Sequence, residues 1–94
     1  MMINRVEISG NAENDLRSIP FYLAEKLEAW VGLLRATSVE KARSIPGFHD
    51  EPLQGKRFGQ RSIRLNHAYR AIYRICHDEV GKFILIEEVN KHDY

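Results

Sequence analysis

QRSIRLNHAYRAIYRICHDEVGKFILIEEV, residues 60–89, holds three β-prone runs separated by short turn signals. Gln60–Leu65 alternates, with Ile63 and Leu65 on one face and Ser62 and Arg64 on the other. Tyr69–Cys76 does the same: Tyr69, Ala71, Tyr73 and Ile75 oppose Arg70, Ile72 and Arg74. Lys82–Val89 is the most β-prone run of the chain. His77-Asp78-Glu79-Val80-Gly81 joins the last two runs, and Gly81 is free to take a positive φ. Links this short predict an antiparallel meander.

Working back from the meander, Phe48–Gly59 contains Pro52, Gly55 and Gly59 and reads as irregular. Thr37–Arg43 reads as a short helical turn capped by Ser38 and ended by Ile45-Pro46-Gly47. Before it, Leu23, Leu27, Trp30 and Leu34 recur at helical spacing, with Ala24 and Val31 widening the stripe. Core packing is the plain explanation of that stripe. A shorter helix is predicted from an N-cap at Asn11 to about Ser18, with Glu13 and Asp15 in its first turn, and Pro20 separates the two helices. Ile3–Ile8 is short, β-branched and alternating, so it reads as a strand. The expected fold is α+β in the order β-α-α-β-β-β, a helical hairpin packed on a small, mainly antiparallel four-stranded sheet. Ninety-four residues suit one domain, 1–94.

The net charge of +1 hides an asymmetry. Residues 1–51 sum to −2, residues 52–77 to +6 and residues 78–94 to −3. The middle block holds Lys56, Arg57, Arg61, Arg64, Arg70 and Arg74 and no acid, which predicts a local anionic ligand. The lone Cys76 cannot form an internal disulfide and reads as a packing residue of a protein in a reducing cytosol. No apolar run reaches the length of a membrane span, and the first residues are too polar for a signal segment. The expected location is cytoplasmic. The four histidines lack metal-ligand spacing, so neither metal nor cofactor is expected. His67 and His77 read as turn residues.

Strand register decides what the arginines do. A three-residue turn at Asn66-His67-Ala68 puts Leu65 opposite Tyr69, and Arg64 opposite Arg70 on one face. Two guanidinium groups so placed repel unless an anion lies between them. A two-residue turn would instead send them to opposite faces. The second hairpin places Arg70 near Glu88 and Arg74 near Ile84, so an Arg70–Glu88 ion pair is the plain reading of Arg70. Arg61, Arg74 and Lys82 read as surface charge with no catalytic part. Lys56 and Arg57, with Arg61 and Arg74, are candidate contacts to RNA phosphates. His92-Asp93-Tyr94 ends the sequence with an imidazole and a phenol, groups suited to proton transfer and base stacking at a phosphodiester.

Four segments together resemble the RelE/ParE superfamily of type II toxin–antitoxin toxins, and within it the RelE, YoeB and HigB mRNA interferases. Pro46–Gly55, with Glu51-Pro52-Leu53-Gln54-Gly55, is similar to the family's E-P-L-x-G segment. Arg61–Asn66 is similar to its W-S-I-R-V-N strand and Tyr69–Ile75 to its Y-R-[IL]-[IV]-Y strand. His92-Asp93-Tyr94 resembles its His/Tyr tail. The resemblance implies a RelE-like fold, a cognate antitoxin, and ribosome-dependent, metal-independent mRNA cleavage by attack of a ribose 2′-OH on the adjacent phosphate. It implies Glu51 as base, with His49 a lesser rival, Arg70 and Arg64 as phosphate ligands, His92 as acid and Tyr94 as the stacking group. Asp93 could itself carry the proton. The same fold serves ParE-like inhibitors of DNA gyrase, and an inactive regulatory member would keep only its antitoxin complex.

Overall fold

The computed structural model describes residues 2–91. In chain order it runs β1 (Val6–Ile8), α1 (Gly10–Leu16), α2 (Phe21–Ala36), α3 (Val39–Ala42), β2 (Glu51–Pro52), β3 (Gln60–Arg64), β4 (Tyr69–His77) and β5 (Lys82–Lys91). The strands form one sheet in the order β1-β5-β4-β3-β2. β1 lies parallel to β5 and the other pairs are antiparallel. The sheet therefore has five strands where the sequence predicted four. The extra one, β2, falls in the segment read as irregular, because two residues carry no alternation to detect.

The cap of helix α1 lies two residues before the expected Asn11. Ser9 is extended (φ −69°, ψ 158°), and its Oγ accepts from the Ala12 N–H at 3.0 Å. Asn11 instead donates its side-chain amide to the Glu87 carbonyl at 3.3 Å. Helix α2 follows its stripe: Leu23, Leu27, Trp30, Val31 and Leu34 are all buried. Ser38 caps α3 as expected, accepting from the Lys41 N–H at 3.1 Å. Among the described residues no helix is long and apolar enough to cross a membrane.

One face of the sheet meets the helices through Ile63, Leu65, Ala71, Tyr73, Ile84, Ile86 and Val89. Burying each aliphatic side chain contributes roughly 1.5–3 kcal/mol. Tyr73 packs against Trp30 with ring centroids 5.1 Å apart, planes tilted by 45° and both residues fully buried. This stack joins the centre of the sheet to the centre of α2.

The first hairpin takes the three-residue turn. Arg64 lies opposite Arg70, and the Leu65 N–H donates to the Tyr69 carbonyl at 2.9 Å. Asn66 sets the turn by accepting from the Ala68 and Tyr69 amides through one side-chain oxygen, at 2.8 and 2.7 Å. The second hairpin differs from expectation. Ile72 opposes Glu88 but Tyr73 opposes Ile86, so Glu87 is an extra residue on β5. The turn itself sets Arg74 opposite Leu85, one residue from expectation, and the bulge adds a second, so Arg70 faces Asn90. The bulge shifts the side-chain alternation: Ile84, Ile86 and Val89 are all buried, at spacings of two and then three.

Candidate active site

The face of the sheet turned away from the helices carries the charged residues. Arg70 sits on β4, between β3 and β5, and is only 4% exposed. A buried guanidinium needs acceptors, because an uncompensated charge there is costly. Ser62, also buried, supplies one: its Oγ accepts from Arg70 Nε at 2.9 Å and from Nη2 at 2.6 Å. Glu51 supplies the other, with its Oε1 2.8 Å from Arg70 Nη2. Arg70 Nη1 makes no bond among the described residues. Glu51 opposes Ser62 in the β2–β3 pairing, which is what brings its carboxylate over the sheet. Its side chain is 53% exposed, so a ligand can reach it while the arginine stays anchored below.

The structure thus joins Glu51 and Arg70, and sets Arg64 beside Arg70 on the neighbouring strand. It does not form the Arg70–Glu88 pair. Glu88 instead takes Arg57 in a two-pronged contact at 3.0 and 3.2 Å. Arg57 can reach it because the turn Gly55–Arg57 is flanked by Gly55 (φ 65°) and Gly59 (φ 98°), backbone conformations open to glycine. Arg57 also donates to Gln60 at 3.0 Å, and Gln60 donates on to Glu87 at 2.9 Å. Glu87 accepts from Arg74 Nε at 2.7 Å as well. The bulge makes this network possible, since it sets Glu87 and Glu88 side by side over β3 and β4.

The basic block is therefore neutralised by acids from outside it, contrary to the look of the linear sequence. Arg57, Arg61, Arg70 and Arg74 pair with Glu88, Asp50, Glu51 and Glu87. The Glu88 hydrogen bond raises the pKa of Arg57, and the Glu87 hydrogen bond raises that of Arg74. Burial pushes the Glu87 carboxyl upward, but hydrogen bonds from Arg74 and Gln60, with the Arg74 and Arg57 charges, bring it below the ordinary value. Among the described residues Lys56 and Arg64 have no ion pair, so they remain the least committed cations of the block.

Arg61 lies apart from the others. It opposes Tyr73 on the helix-covered side and donates to Asp50 at 2.7 Å. Asp50 also accepts from the Tyr73 hydroxyl at 2.6 Å. Burial, then the Asp50 charge, pushes the Tyr73 phenol far above its usual range.

His92, Asp93 and Tyr94 lie outside the described residues. His49 is exposed and ends the turn Pro46–Phe48 in a left-handed conformation (φ 46°). His67 is exposed in the turn between β3 and β4, as expected, and His77, expected in a turn, is exposed at the end of β4. Among the described residues no three His, Cys, Asp or Glu side chains gather as a metal would require. Sequence reading missed Ser62, Asp50, Glu87 and Gln60 as partners. Ser62 was within reach of it, because alternation places it on the face of Arg64 and Arg70.

The helices over one face, the meander of β3 to β5 and the parallel first strand give the fold of the RelE/YoeB-like toxins. YoeB from Staphylococcus aureus, solved as a dimer, superposes over the full length of both chains with a TM-score of 0.67 at 18% identity. The RelBE2 toxin–antitoxin complex from Mycobacterium tuberculosis matches with a TM-score of 0.67 at 22% identity, covering 98% of this chain and 94% of that one. The DinJ–YafQ toxin–antitoxin complex from Escherichia coli matches with a TM-score of 0.66 at 24% identity, covering 96% and 94%. No protein-family model and no curated protein matches the sequence.

Proposed function

We propose that this chain is the toxin of a type II toxin–antitoxin system and cleaves mRNA on the ribosome without a metal ion. The observation that carries the reading is the Glu51–Arg70 pair, an accessible carboxylate held 2.8 Å from a buried guanidinium. In the proposed reaction Glu51 takes the proton of a ribose 2′-OH. The O2′–P bond forms, the P–O5′ bond breaks, and His92 protonates the departing 5′-oxygen. The products are a 2′,3′-cyclic phosphate and a 5′-hydroxyl. Arg70, with Arg64 beside it, stabilises the charge that builds on the phosphate oxygens, from a position already fixed by Ser62. Tyr94 stacks on a base next to the cut, and Lys56, Arg57 and Arg74 contribute attraction to RNA phosphates, while Arg61, on the other side of the sheet and paired with Asp50, stands apart from them.

The structural neighbours solved as toxin–antitoxin complexes support a cognate antitoxin as the partner. An acidic or amphipathic antitoxin segment over the sheet face would mask Arg64 and Arg70. Mapping 5′ ends by primer extension on a ribosome-bound reporter mRNA tests the proposal. Discrete cuts that persist in chelator and vanish in Arg70→Ala and His92→Ala support it. Intact mRNA together with blocked gyrase supercoiling would replace it by a ParE-like action. Intact mRNA without growth arrest on induction would leave an inactive antitoxin-binding member.

A further inference from the structure

Strand β2 is only two residues long and lies at the edge of the sheet, and one of the two is a proline without an N–H. So short a strand does not fix the direction of a side chain by itself. Glu51 nonetheless reaches Arg70 at hydrogen-bond distance. The residue before it shows why. The Asp50 side chain is fully buried, and its two oxygens are held separately, Oδ1 by Arg61 Nε at 2.7 Å and Oδ2 by the Tyr73 hydroxyl at 2.6 Å. Tyr73 cannot give way, because it stacks on Trp30 at the centre of the core.

We infer that Asp50 is a positioning residue, which through Tyr73 and Arg61 anchors the edge strand to the core and so aims Glu51 at Arg70. Successive residues of a strand point to opposite faces. With Asp50 fixed on the helix side, Glu51 is delivered to the open side. The turn entering this segment offers no comparable hold, since His49 before it is exposed and left-handed. Burying a carboxylate and a guanidinium is often no better for stability than an apolar filling of the same space. A role in geometry accounts for the acid at this place. Tyr73 and Arg61 thereby gain a function distinct from packing and from RNA contact.

The inference rests on Glu51 as the base, and two independent readouts separate it from that reading. The first is single-turnover cleavage by Asp50→Asn and Tyr73→Phe, alone and combined with Glu51→Gln. Tyr73→Phe keeps the ring against Trp30 and loses one oxygen, so it carries the test if Asp50→Asn fails to fold. Misplacing the base costs up to about 100-fold in kcat with KM little changed. The same substitution adds no further loss in the Glu51→Gln background. Equal slowing in both backgrounds would overturn the inference, since a merely structural effect is additive. The second readout is the crystal structure of each variant, which needs no activity. Glu51 turned away from Arg70 supports the inference, and Glu51 still at Arg70 overturns it. If the unaltered protein cuts no RNA, the nuclease reading fails and the crystal structures alone decide the positioning role.

Discussion

Replacing Ser62 by alanine removes one oxygen, yet that oxygen accepts from two nitrogens of a buried guanidinium, at 2.9 and 2.6 Å. Ser62 is 1% exposed and Arg70 is 4% exposed, so water has little access to replace the hydroxyl. A hydrogen bond to a charged group contributes about 1.5–3 kcal/mol. Because both bonds share a single acceptor, the expected loss is about 2–3 kcal/mol in total and not twice that. For a domain of this size each kcal/mol moves the Tm by about 4–8 °C, so Ser62→Ala should melt about 8–24 °C lower. Circular dichroism against temperature measures this. Cleavage should fall along with stability, because Glu51 alone cannot hold Arg70 beneath the phosphate. A Tm within about 3 °C of the parent protein would refute the reasoning and show that Ser62 is not the anchor.

Two ion pairs and the Tyr73 phenol give three further expectations. Arg57→Ala should cost at most about 1 kcal/mol, because its pair with Glu88 is half-exposed. The slope of log affinity for RNA against log salt should nevertheless shrink by about one, and an unchanged slope would remove Arg57 from the RNA surface. Tyr73 sets an alkaline limit. An unfolded phenol ionises near 10.0, whereas burial and the Asp50 charge hold the folded one higher. The folded state then keeps a proton that the unfolded state loses, so stability declines as pH rises above that value. One of the four tyrosines should therefore show its phenolate absorbance only as the fold is lost, and a phenolate signal from all of them in the folded protein would contradict this. Glu87 sets an acid limit with the opposite sign. Its folded pKa lies below the ordinary 4.5, so its contribution is present above that value and lost as pH falls through the folded pKa. Urea midpoints in Glu87→Gln should be flatter across this window than in the parent protein.

Much of the fold could be read from hydrophobic period. The stripe of Leu23, Leu27, Trp30 and Leu34 and the alternation of β3 and β4 each report a core-facing side. The structure buries the stripe with Ile63, Leu65, Ala71 and Tyr73, while Ile75 near the end of β4 is exposed and Arg70 and Ile72 of the opposite face are buried as well. The β2 strand could not be read, since two residues contain no period. The bulge was recorded in the spacing of Ile84, Ile86 and Val89, where two becomes three, but a strict two-residue alternation hides it. That slip accounts for one of the two residues between Glu88, the expected partner of Arg70, and Asn90, its actual one; the other comes from the hairpin turn, which already sets Arg74 opposite Leu85 and not Ile84. Within the candidate site, Glu51 and Arg70 were singled out by chemistry and likeness, and their contact depends on a turn and an edge strand with no sequence period. The neutralisation of the basic block was illegible for a related reason. Asp50, Glu51, Glu87 and Glu88 lie outside the block in sequence and reach it only through the sheet.

The central claim is attack of a 2′-OH by a site built on Glu51 and Arg70. The most direct measurement is the chemistry of the cut ends on ribosome-bound mRNA in chelator, with a 2′-O-methyl group placed at the cleaved nucleotide in a second transcript. The account predicts a 2′,3′-cyclic phosphate and a 5′-hydroxyl from the natural transcript, no cut at the methylated nucleotide, and loss of cutting in Glu51→Gln and Arg70→Ala. A cut at the methylated nucleotide, or undiminished cutting by those two variants, would contradict it.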